Sequence, residues 1–288
     1  MSILQRRKAQ RRPVITAPTR EIVPVVPTYM RITRPDWPPP TQLPLSRSYT
    51  PLYTTPPVYP PPTERPRLSD VTAIIINHKT LFLAQQAYQS LTNWYDLPVV
   101  VVDNGSQDAA TNAWVRSVGG VLLPDNIGHG PALHRSIQTL TTPYVLTLDS
   151  DCVVNRGGWL EQMLAYFHNP QLYAIGWLRW VDRFTGVPLE WHLDSPPPDR
   201  FIPYVHPAVG LYSRDWYNRL ATPFSHHGAP ALANMLAAEQ QHAQLLAFPV
   251  FDYVTHLVAG TRRLYGGHWD GTTPHTQHAW SADDHYPI

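Results

Sequence analysis

The stretch VVVVDNGS, residues 99–106, joins four consecutive valines to an Asp-Asn-Gly-Ser turn. Runs of β-branched residues are typical of a strand buried on both faces of a parallel sheet, and the turn marks its carboxyl end. Residues 71–76, 120–123 and 144–148 form similar apolar runs. Between the first run and residue 99, apolar side chains recur every three or four positions, which predicts a helix with one buried face. This alternation predicts an α/β domain with a mostly parallel, Rossmann-type central sheet flanked by helices.

Polar residues follow each of the four predicted strands. The clusters are Asn77-His78-Lys79, Asp103-Asn104-Gly105-Ser106, Asp125-Asn126-Ile127-Gly128 and Asp149-Ser150-Asp151. The carboxyl ends of parallel strands meet at one edge of the sheet, where ligands bind. Asn, Asp and Gly are also ordinary turn residues, so any single cluster has a purely structural alternative. Four in succession predict a shared ligand site.

The remaining elements are predicted less regularly. Helices are expected over 108–118, 130–140, 157–167 and 230–244, and further strands near 173–177, 210–212 and 246–254.

Proline sets the first part of the chain apart. Of 32 prolines, 16 precede residue 70, in runs such as Pro38-Pro39-Pro40. Proline fixes φ and lacks an N–H donor, which excludes such runs from helix interiors and central strands. We therefore predict an extended or disordered proline-rich tail over 1–69, the α/β domain over 70–265 and a polar tail over 266–288.

Charge divides at the same boundary. Residues 1–70 contain 11 Lys and Arg against 4 Asp and Glu, and residues 71–288 contain 11 against 17, so the net charges are +7 and −6. The basic tail is suited to an anionic membrane surface or to self-association through an acidic surface, and no specific nucleic acid is expected. The alternative is a solvated arm without a fixed partner.

The sequence also bears on the compartment. No run approaches the ~20 apolar residues that span a bilayer, and the first residues lack the apolar core of a signal peptide. Cys152 is the single cysteine, which excludes an intramolecular disulfide. These features predict a cytoplasmic protein, soluble or peripheral to the membrane.

Asp149 and Asp151 offer two carboxylates on one turn at a strand end. In that position both can approach one hard divalent cation, Mg²⁺ or Mn²⁺, which suits the handling of a diphosphate. Two acids in a surface turn are common without a metal, so the surrounding sequence decides the interpretation.

Three segments in this order resemble the family 2 glycosyltransferases, over roughly residues 71–180. They are Val101-Val102-Asp103-Asn104-Gly105-Ser106-Gln107-Asp108, Asn126-Ile127-Gly128-His129-Gly130-Pro131-Ala132, and Leu148-Asp149-Ser150-Asp151 with Gly158-Trp159-Leu160 following. The resemblance implies a GT-A-like fold. It also implies that a nucleotide sugar binds at Asn77, Asp103, Asn104, Asn126, Gly128 and Asp149.

A fourth segment, residues 251–256 with Gly260-Thr261 following, resembles the late strand whose histidine contacts metal or diphosphate in several members. The resemblance therefore implies a Mn²⁺ or Mg²⁺ site formed by Asp149, Asp151 and His256. A packed, hydrogen-bonded histidine is the alternative at position 256.

The usual general base of the family is missing. Many members carry a Gly-Glu-Asp-like stretch, but alignment places Ala229 and Pro230 where the acids stand. His226 or His227 is predicted to replace them, because imidazole titrates near neutrality and accepts a hydroxyl proton. A structural or acceptor-binding turn is the alternative.

These expectations describe a hexosyltransferase-like enzyme that inverts the anomeric carbon in a single displacement. The donor is a nucleoside diphosphate sugar, with UDP favoured, and the acceptor hydroxyl belongs to a glycan, a lipid-linked molecule or a polypeptide.

Three other functions remain open. They are a haloacid dehalogenase-type phosphatase with an Asp-x-Asp motif, a nucleotidyltransferase that makes nucleotide sugars, and a non-catalytic binding or scaffold protein. The phosphatase commonly uses a lysine downstream of its nucleophile, whereas the two lysines here, Lys8 and Lys79, lie upstream. The nucleotidyltransferase needs a glycine-rich basic loop that does not follow residue 76.

Overall fold

The computed structural model describes residues 66–189, 197–225 and 229–257. Most of the predicted proline-rich tail and all of the predicted C-terminal tail lie outside these residues. In chain order the helices and strands are β1 (Val71–Asn77), α1 (Leu81–Trp94), β2 (Val99–Asn104), α2 (Ala109–Ser117), β3 (Val121–Leu123), α3 (His129–Thr139), β4 (Tyr144–Leu148), β5 (Cys152–Val154), α4 (Trp159–Ala165), β6 (Leu172–Asp182), β7 (Phe201–Ser213), α5 (Arg214–Leu220), α6 (Leu232–Gln240), β8 (Gln244–Ala247) and β9 (Val254–His256).

The central sheet of the described residues has seven strands in the order β3-β2-β1-β4-β7-β6-β8. β1, β2, β3 and β4 pair in parallel, β7 runs antiparallel to both of its neighbours, and β8 is parallel to β6. The predicted mostly parallel α/β fold is therefore confirmed. The sheet order places the end of β4 between the loops after β1 to β3 and the β6–β7 ribbon.

Both faces of the sheet are covered by helices, as a parallel sheet requires. On one face, α1 and α4 pack through Leu91, Trp159 and Met163 against Ala73 and Ile75 of β1. On the other face the contributing helices are α3, α5 and α6. Their buried side chains include Leu133, Ile137, Trp216, Leu220, Leu232 and Met235, which pack around Ile74. The alternation of Ile74 and Ile75 between the two cores explains why the strand reads as a continuous apolar run.

β6 and β7 form a long antiparallel ribbon that the sequence patterns showed only in part. Gly176 pairs with Gly210 and Leu178 pairs with Val205, so residues 206–209 of β7 form a bulge opposite Trp177. A Cβ on Gly176 would lie 2.4 Å from the carbonyl oxygen of Val209, so only glycine allows this approach of the two backbones.

The predicted strand over 246–254 is wrong. The segment divides into β8, a short 3₁₀ turn (Val250–Asp252) and β9. Pro249 lacks the N–H that a continuing ladder needs, and β9 leaves the main sheet to pair with β5 in a separate two-stranded sheet. The predicted helix over 230–244 is also shorter, because α6 ends at Gln240 and β8 begins at Gln244.

Among the described helices, none combines the length and the apolar character that crossing a bilayer requires.

Candidate functional site

The four polar clusters predicted at strand ends lie together at the carboxyl edge of the parallel strands. Hydrogen bonds join the cluster after β1 to the cluster after β2, and the latter to the cluster after β3. A hydroxyl contact of 3.2 Å between Thr80 and Ser150 joins the first cluster to the turn after β4. The edge is therefore one connected surface.

Asn77, Asp103 and Ser106 form the buried centre of this surface. The Nδ2 of Asn77 donates to Oδ1 of Asp103 at 2.7 Å, and the backbone N–H of Ser106 donates to Oδ2 at 2.9 Å. The hydroxyl of Ser106 also donates to Asp103. Asp103 is 1% exposed. Both of its oxygens are thus engaged by protein groups, and the carboxylate fixes the loops after β1 and β2 relative to each other.

Asn104 joins the second loop to the third. Its Nδ2 donates to Oδ1 of Asn126 at 2.8 Å and to the carbonyl of Gly128 at 3.2 Å, and its Oδ1 accepts from the N–H of Ile127 at 3.0 Å. Asn104 is buried, whereas Asn126 is exposed. Gly128 has φ +88° and directly precedes His129, the first residue of α3.

Lys79 and Gln107 are exposed on this edge and adopt φ of 55° and 59°. The N–H of Lys79 donates to Oγ of Ser106 at 2.6 Å, which brings the two loops together. Positive φ is uncommon for residues other than glycine and clusters at functional sites. The sequence placed Lys79 in the first polar cluster and Gln107 in the segment that resembles the family, but it did not indicate the left-handed backbone of either residue.

The turn Asp149-Ser150-Asp151 connects β4 to β5. The N–H of Asp149 donates to the carbonyl of Ala208 in the β7 bulge at 2.9 Å, and the N–H of Cys152 closes the turn on the Asp149 carbonyl at 3.0 Å. The position of both carboxylates is therefore set by the sheet and by the bulge.

Each carboxylate faces an imidazole. Nε2 of His129 lies 3.4 Å from Oδ1 of Asp149, and Nε2 of His256 lies 3.3 Å from Oδ1 of Asp151. The pairing of β5 with β9 sets Cys152 opposite His256, which brings the late histidine to the turn. His129 was missed by sequence reasoning, although it follows Gly128 at the start of α3.

Burial and the charges of neighbouring side chains shift the pKa values of these aspartates and histidines. Burial, with the neighbouring charge of Asp151, raises the pKa of Asp149 to about 7. Burial lowers the pKa of His129 to about 4 and outweighs the opposing effect of Asp151. Burial also acts to lower the pKa of His256, but the hydrogen bond and charge of Asp151 outweigh it and raise that pKa. Two carboxylates in one confined space thus need a proton or a cation.

Asp149, Asp151 and His256 are chemically suited to a divalent cation, because carboxylate oxygens and a neutral imidazole are common ligands of Mn²⁺ and Mg²⁺ sites. Ligand atoms of Asp151, Cys152 and His256 lie within 4.8 Å of one another. Burial raises the pKa of the Cys152 thiol, so the sulfur stays protonated, and it lies 3.5 Å from the Ala208 carbonyl as a hydrogen-bond donor. The hard oxygen ligands are therefore the better candidates.

We expect Mn²⁺ affinity to rise as pH increases through about 7. A metal ligand must be deprotonated, so binding at lower pH displaces the proton of Asp149. The folded pKa of Asp149 lies above its ordinary value of 3.8. Between pH 3.8 and about pH 7 the folded state binds this proton more tightly than the unfolded state does. Without metal, the contribution of Asp149 to the free energy of unfolding therefore falls as pH rises through this range.

Calorimetry with Mn²⁺ between about pH 5 and about pH 8, together with metal-free thermal unfolding, measures both trends. The variant Asp149→Asn removes this titrating group and serves as the control. Metal affinity that stays constant across this pH range would contradict the expectation.

Aromatic and basic side chains from β6, β7 and β9 border the turn on the side away from β1. The Trp177 ring centroid lies 4.6 Å from that of His206 and 5.5 Å from that of His256. Tryptophan rings can stack on sugars, and Trp177, Trp180 and Trp191 all follow the carboxylate turn in the sequence. Trp180 is largely exposed, and Trp191 lies outside the described residues.

The predicted catalytic residues, His226 and His227, also lie outside the described residues. The N–H of Ser225 donates to the carbonyl of Pro230 at 2.9 Å, so the flanks of that segment lie together. Two carboxylates that follow β6 in the chain, Asp215 and Glu239, are further candidates for a base. Asp215 is exposed on α5, beyond the end of β7 and away from the site, and Glu239 pairs with Arg183.

Comparisons with known proteins bear on this arrangement. The profile of the family described as "Glycosyl transferase family 2" matches residues 72–226. The mannosyltransferase PcManGT from Pyrobaculum calidifontis, in complex with GDP-Man and Mn²⁺, is 18% identical with a TM-score of 0.48, covering 69% of this chain and 59% of that one. S. aureus TarS 1-349 is 14% identical with a TM-score of 0.47, covering 64% of this chain and 59% of that one. The chain thus spans less than two thirds of each. No curated protein matches the sequence.

Proposed function

The chain belongs to glycosyl transferase family 2, and from that premise we propose that it transfers a monosaccharide from a nucleoside diphosphate sugar to an acceptor hydroxyl. The fold is GT-A-like, and the membership supports glycosyl transfer as the activity. The observation that carries the finer proposal is the turn of Asp149 and Asp151, partly buried and buried respectively, between the loops of β1 to β3 and the histidine of β9.

The donor nucleotide is assigned to the loops after β1, β2 and β3. Asn77, Asp103 and Asn104 hold these loops in place through buried hydrogen bonds, while Asn126 and Gly128 are the more accessible groups. The N-terminus of α3, which follows the loop after β3, is the positive end of the helix dipole and suits the negative charge of a diphosphate. The sequence resemblance favours UDP as the nucleotide.

A divalent cation, Mn²⁺ or Mg²⁺, is assigned to Asp149, Asp151 and His256. Such an ion, when bound, neutralises charge on a leaving diphosphate. The protein residues fix the position of the two carboxylates: Ala208 holds the Asp149 backbone, and His129 and His256 orient the two side chains.

The reaction proposed is a single displacement with inversion. A general base takes the proton of the acceptor hydroxyl while the hydroxyl oxygen bonds to the anomeric carbon, and the bond from that carbon to the phosphate oxygen breaks, so that the nucleoside diphosphate leaves. Ala229 and Pro230 occupy the positions where the family carries its acids, and both are buried. His226 and His227 are the candidates for the base, with His227 favoured because Gly228 allows close approach of the backbone to a ligand.

Replacement of the catalytic histidine should lower turnover by about 100-fold and leave donor affinity nearly unchanged, since a general base acts in the transition state. Single variants His226→Ala and His227→Ala are compared by initial rates and by donor titration. Asp215→Ala serves as the control, because Asp215 is exposed on α5, which follows the end of β7 beside the start of β4. Full activity in both histidine variants would refute this role.

A non-catalytic, donor-binding protein is the second candidate, favoured by the absence of acids at Ala229 and Pro230. A thermal-shift panel of nucleotide sugars with and without Mn²⁺ tests the shared binding step, because a ligand of the folded state raises the apparent stability. The panel should include UDP, GDP and dTDP sugars. A metal-dependent shift with one donor, followed by transfer to an acceptor panel, supports the enzyme; binding without transfer supports the second candidate. No shift with any donor would contradict both.

The acceptor is proposed to be a glycan, a lipid-linked molecule or a polypeptide. The basic tail over residues 1–69 is proposed to contact an anionic membrane surface or a second copy of the chain.

A further inference from the structure

Two basic side chains of the β6–β7 ribbon have no role in the donor and metal assignments. We propose that Arg179 and His206 form an oxyanion-binding subsite for the acceptor, so that the acceptor carries a phosphate or a carboxylate near the hydroxyl that receives the sugar. This inference rests on the proposed function, because it describes the second substrate of the same reaction.

The β7 bulge places His206 beside the carboxylate turn. Residues 206–209 leave the regular ladder between the pairs Gly176–Gly210 and Leu178–Val205. Within the bulge, the carbonyl of Ala208 accepts the N–H of Asp149 at 2.9 Å. His206 is two residues from this contact, so it lies next to the site.

Trp177 connects His206 and Arg179 to the metal ligands. Its ring centroid lies 4.6 Å from the His206 ring and 5.5 Å from the His256 ring. The guanidinium carbon of Arg179 lies 4.9 Å from the same centroid. A cation held over an indole face has a restricted position, which pre-organises it for a ligand.

His206 and Arg179 both present hydrogen-bond donors. The N–H of Ala208 donates to Nδ1 of His206 at 3.1 Å, which leaves the ring proton of the neutral imidazole on Nε2. Burial and the charge of Arg179 lower the pKa of His206 well below its ordinary value, so the ring stays neutral at physiological pH. An imidazole N–H and a guanidinium that both contact the Trp177 ring suit an oxyanion, and the imidazole cannot serve as a base at its protonated nitrogen.

The sheet order assigns this subsite to the acceptor. The metal turn follows β4, and β4 lies between β1 on one side and β7 on the other. The donor loops follow β1, β2 and β3, so the nucleotide occupies that side. Arg179 on β6 and His206 on β7 lie on the opposite side of the turn, where an acceptor must approach the sugar.

The test uses the full chain with ¹⁵N-labelled tryptophan and inorganic phosphate as the probe, without divalent cation so that the metal site does not bind the probe. Phosphate should shift the Trp177 indole signal, which Trp177→Phe identifies. In Arg179→Gln the apparent affinity should fall by about tenfold or more, because a charge-assisted pair is lost. Arg179→Lys keeps the charge but lacks the planar guanidinium. Its phosphate affinity should therefore lie between that of the unmodified chain and that of Arg179→Gln.

Arg219→Gln is the matched control. Arg219 also lies over a tryptophan, with its guanidinium carbon 4.0 Å from the Trp216 centroid, but on α5 beyond the end of β7. The Arg219→Gln variant should leave the phosphate-induced shift of the Trp177 signal unchanged. No phosphate-induced shift at Trp177, or equal affinity in Arg179→Gln, would overturn the proposal. Acetate used in place of phosphate shows which oxyanion the subsite prefers.

A donor titration separates the two substrates. With Mn²⁺, nucleoside diphosphate affinity should be equal in the unmodified chain and in Arg179→Gln. A tenfold loss of nucleoside diphosphate affinity in Arg179→Gln would show that Arg179 binds the donor diphosphate. That result would overturn the proposed acceptor subsite. If the unmodified chain binds no nucleoside diphosphate with metal, the proposed function fails, whereas a phosphate response at Trp177 that depends on Arg179 would still establish the oxyanion site.

Discussion

Asp151→Ala should abolish metal-dependent donor binding. The carboxylate lies in a confined turn with its Oδ1 3.3 Å from His256 and next to Asp149. Loss of a residue that merely supports a metal ligand typically lowers affinity by 10–100-fold, so loss of a proposed ligand should lower it by about 100-fold or more. Transfer activity should fall below detection. Calorimetric titration of the preferred donor with Mn²⁺ and with a chelator measures the effect.

Two variants make this result specific. Asp151→Asn keeps the size of the side chain and removes its charge, so it should show nearly the same loss. Asp96→Ala removes an exposed carboxylate before β2, at the opposite edge of the sheet, and should bind donor normally. Equal donor affinity in Asp151→Ala and the unmodified chain, with no effect of chelation, would remove Asp151 from the metal site.

Gly105→Ala should be far more harmful than an alanine at another left-handed glycine. Gly105 has φ +73°, and a Cβ there would lie 2.3 Å from the Asp125 carbonyl carbon and 2.4 Å from the Asn126 nitrogen. These are backbone atoms, so the third loop must move. We expect a loss of about 2–4 kcal/mol in the free energy of unfolding, combining a backbone clash with left-handed strain. Donor affinity should fall as well, because Asn126 shifts.

Gly119→Ala provides the comparison. Gly119 has φ +71°, but a Cβ there meets no atom within 4 Å. It should therefore lose only the left-handed strain, about 1 kcal/mol. Urea unfolding of both variants gives the difference that belongs to the contact between the second and third loops. Similar losses in the free energy of unfolding for Gly105→Ala and Gly119→Ala would contradict the expectation, because they would show that the third loop moves to accommodate the Cβ at little cost.

The parallel half of the fold was predictable because its signals are local. Four valines and a polar turn define β2 and its end, and the same pattern recurs at β1 and β4. The proximity of Asn77 to Asp103 follows from strand order alone, since neighbouring parallel strands end together. The family resemblance supplied the chemical meaning of these positions.

The antiparallel strands β6 and β7 were not predictable to the same degree. Pro203 and Pro207 interrupt the pattern of β7, so the sequence indicated a strand only near residues 210–212, whereas the structure extends it over 13 residues. The bulge that places His206 depends on pairing with a distant strand, and no local signal encodes such a register. His129 was missed for another reason: its importance rests on a contact with Asp149 across the sheet edge.

The pairing of β5 with β9 has a consequence for the order in which the protein acquires its parts. Asn155 and Thr255, joined by a hydrogen bond, are 100 residues apart in the chain. During synthesis from the N-terminus, β1 to β4 and the carboxylate turn emerge well before β9. The proposed cation site therefore lacks its histidine until the last described strand closes a long loop. Slow closure would delay tight cation binding until the ribbon that borders the acceptor side has also been made.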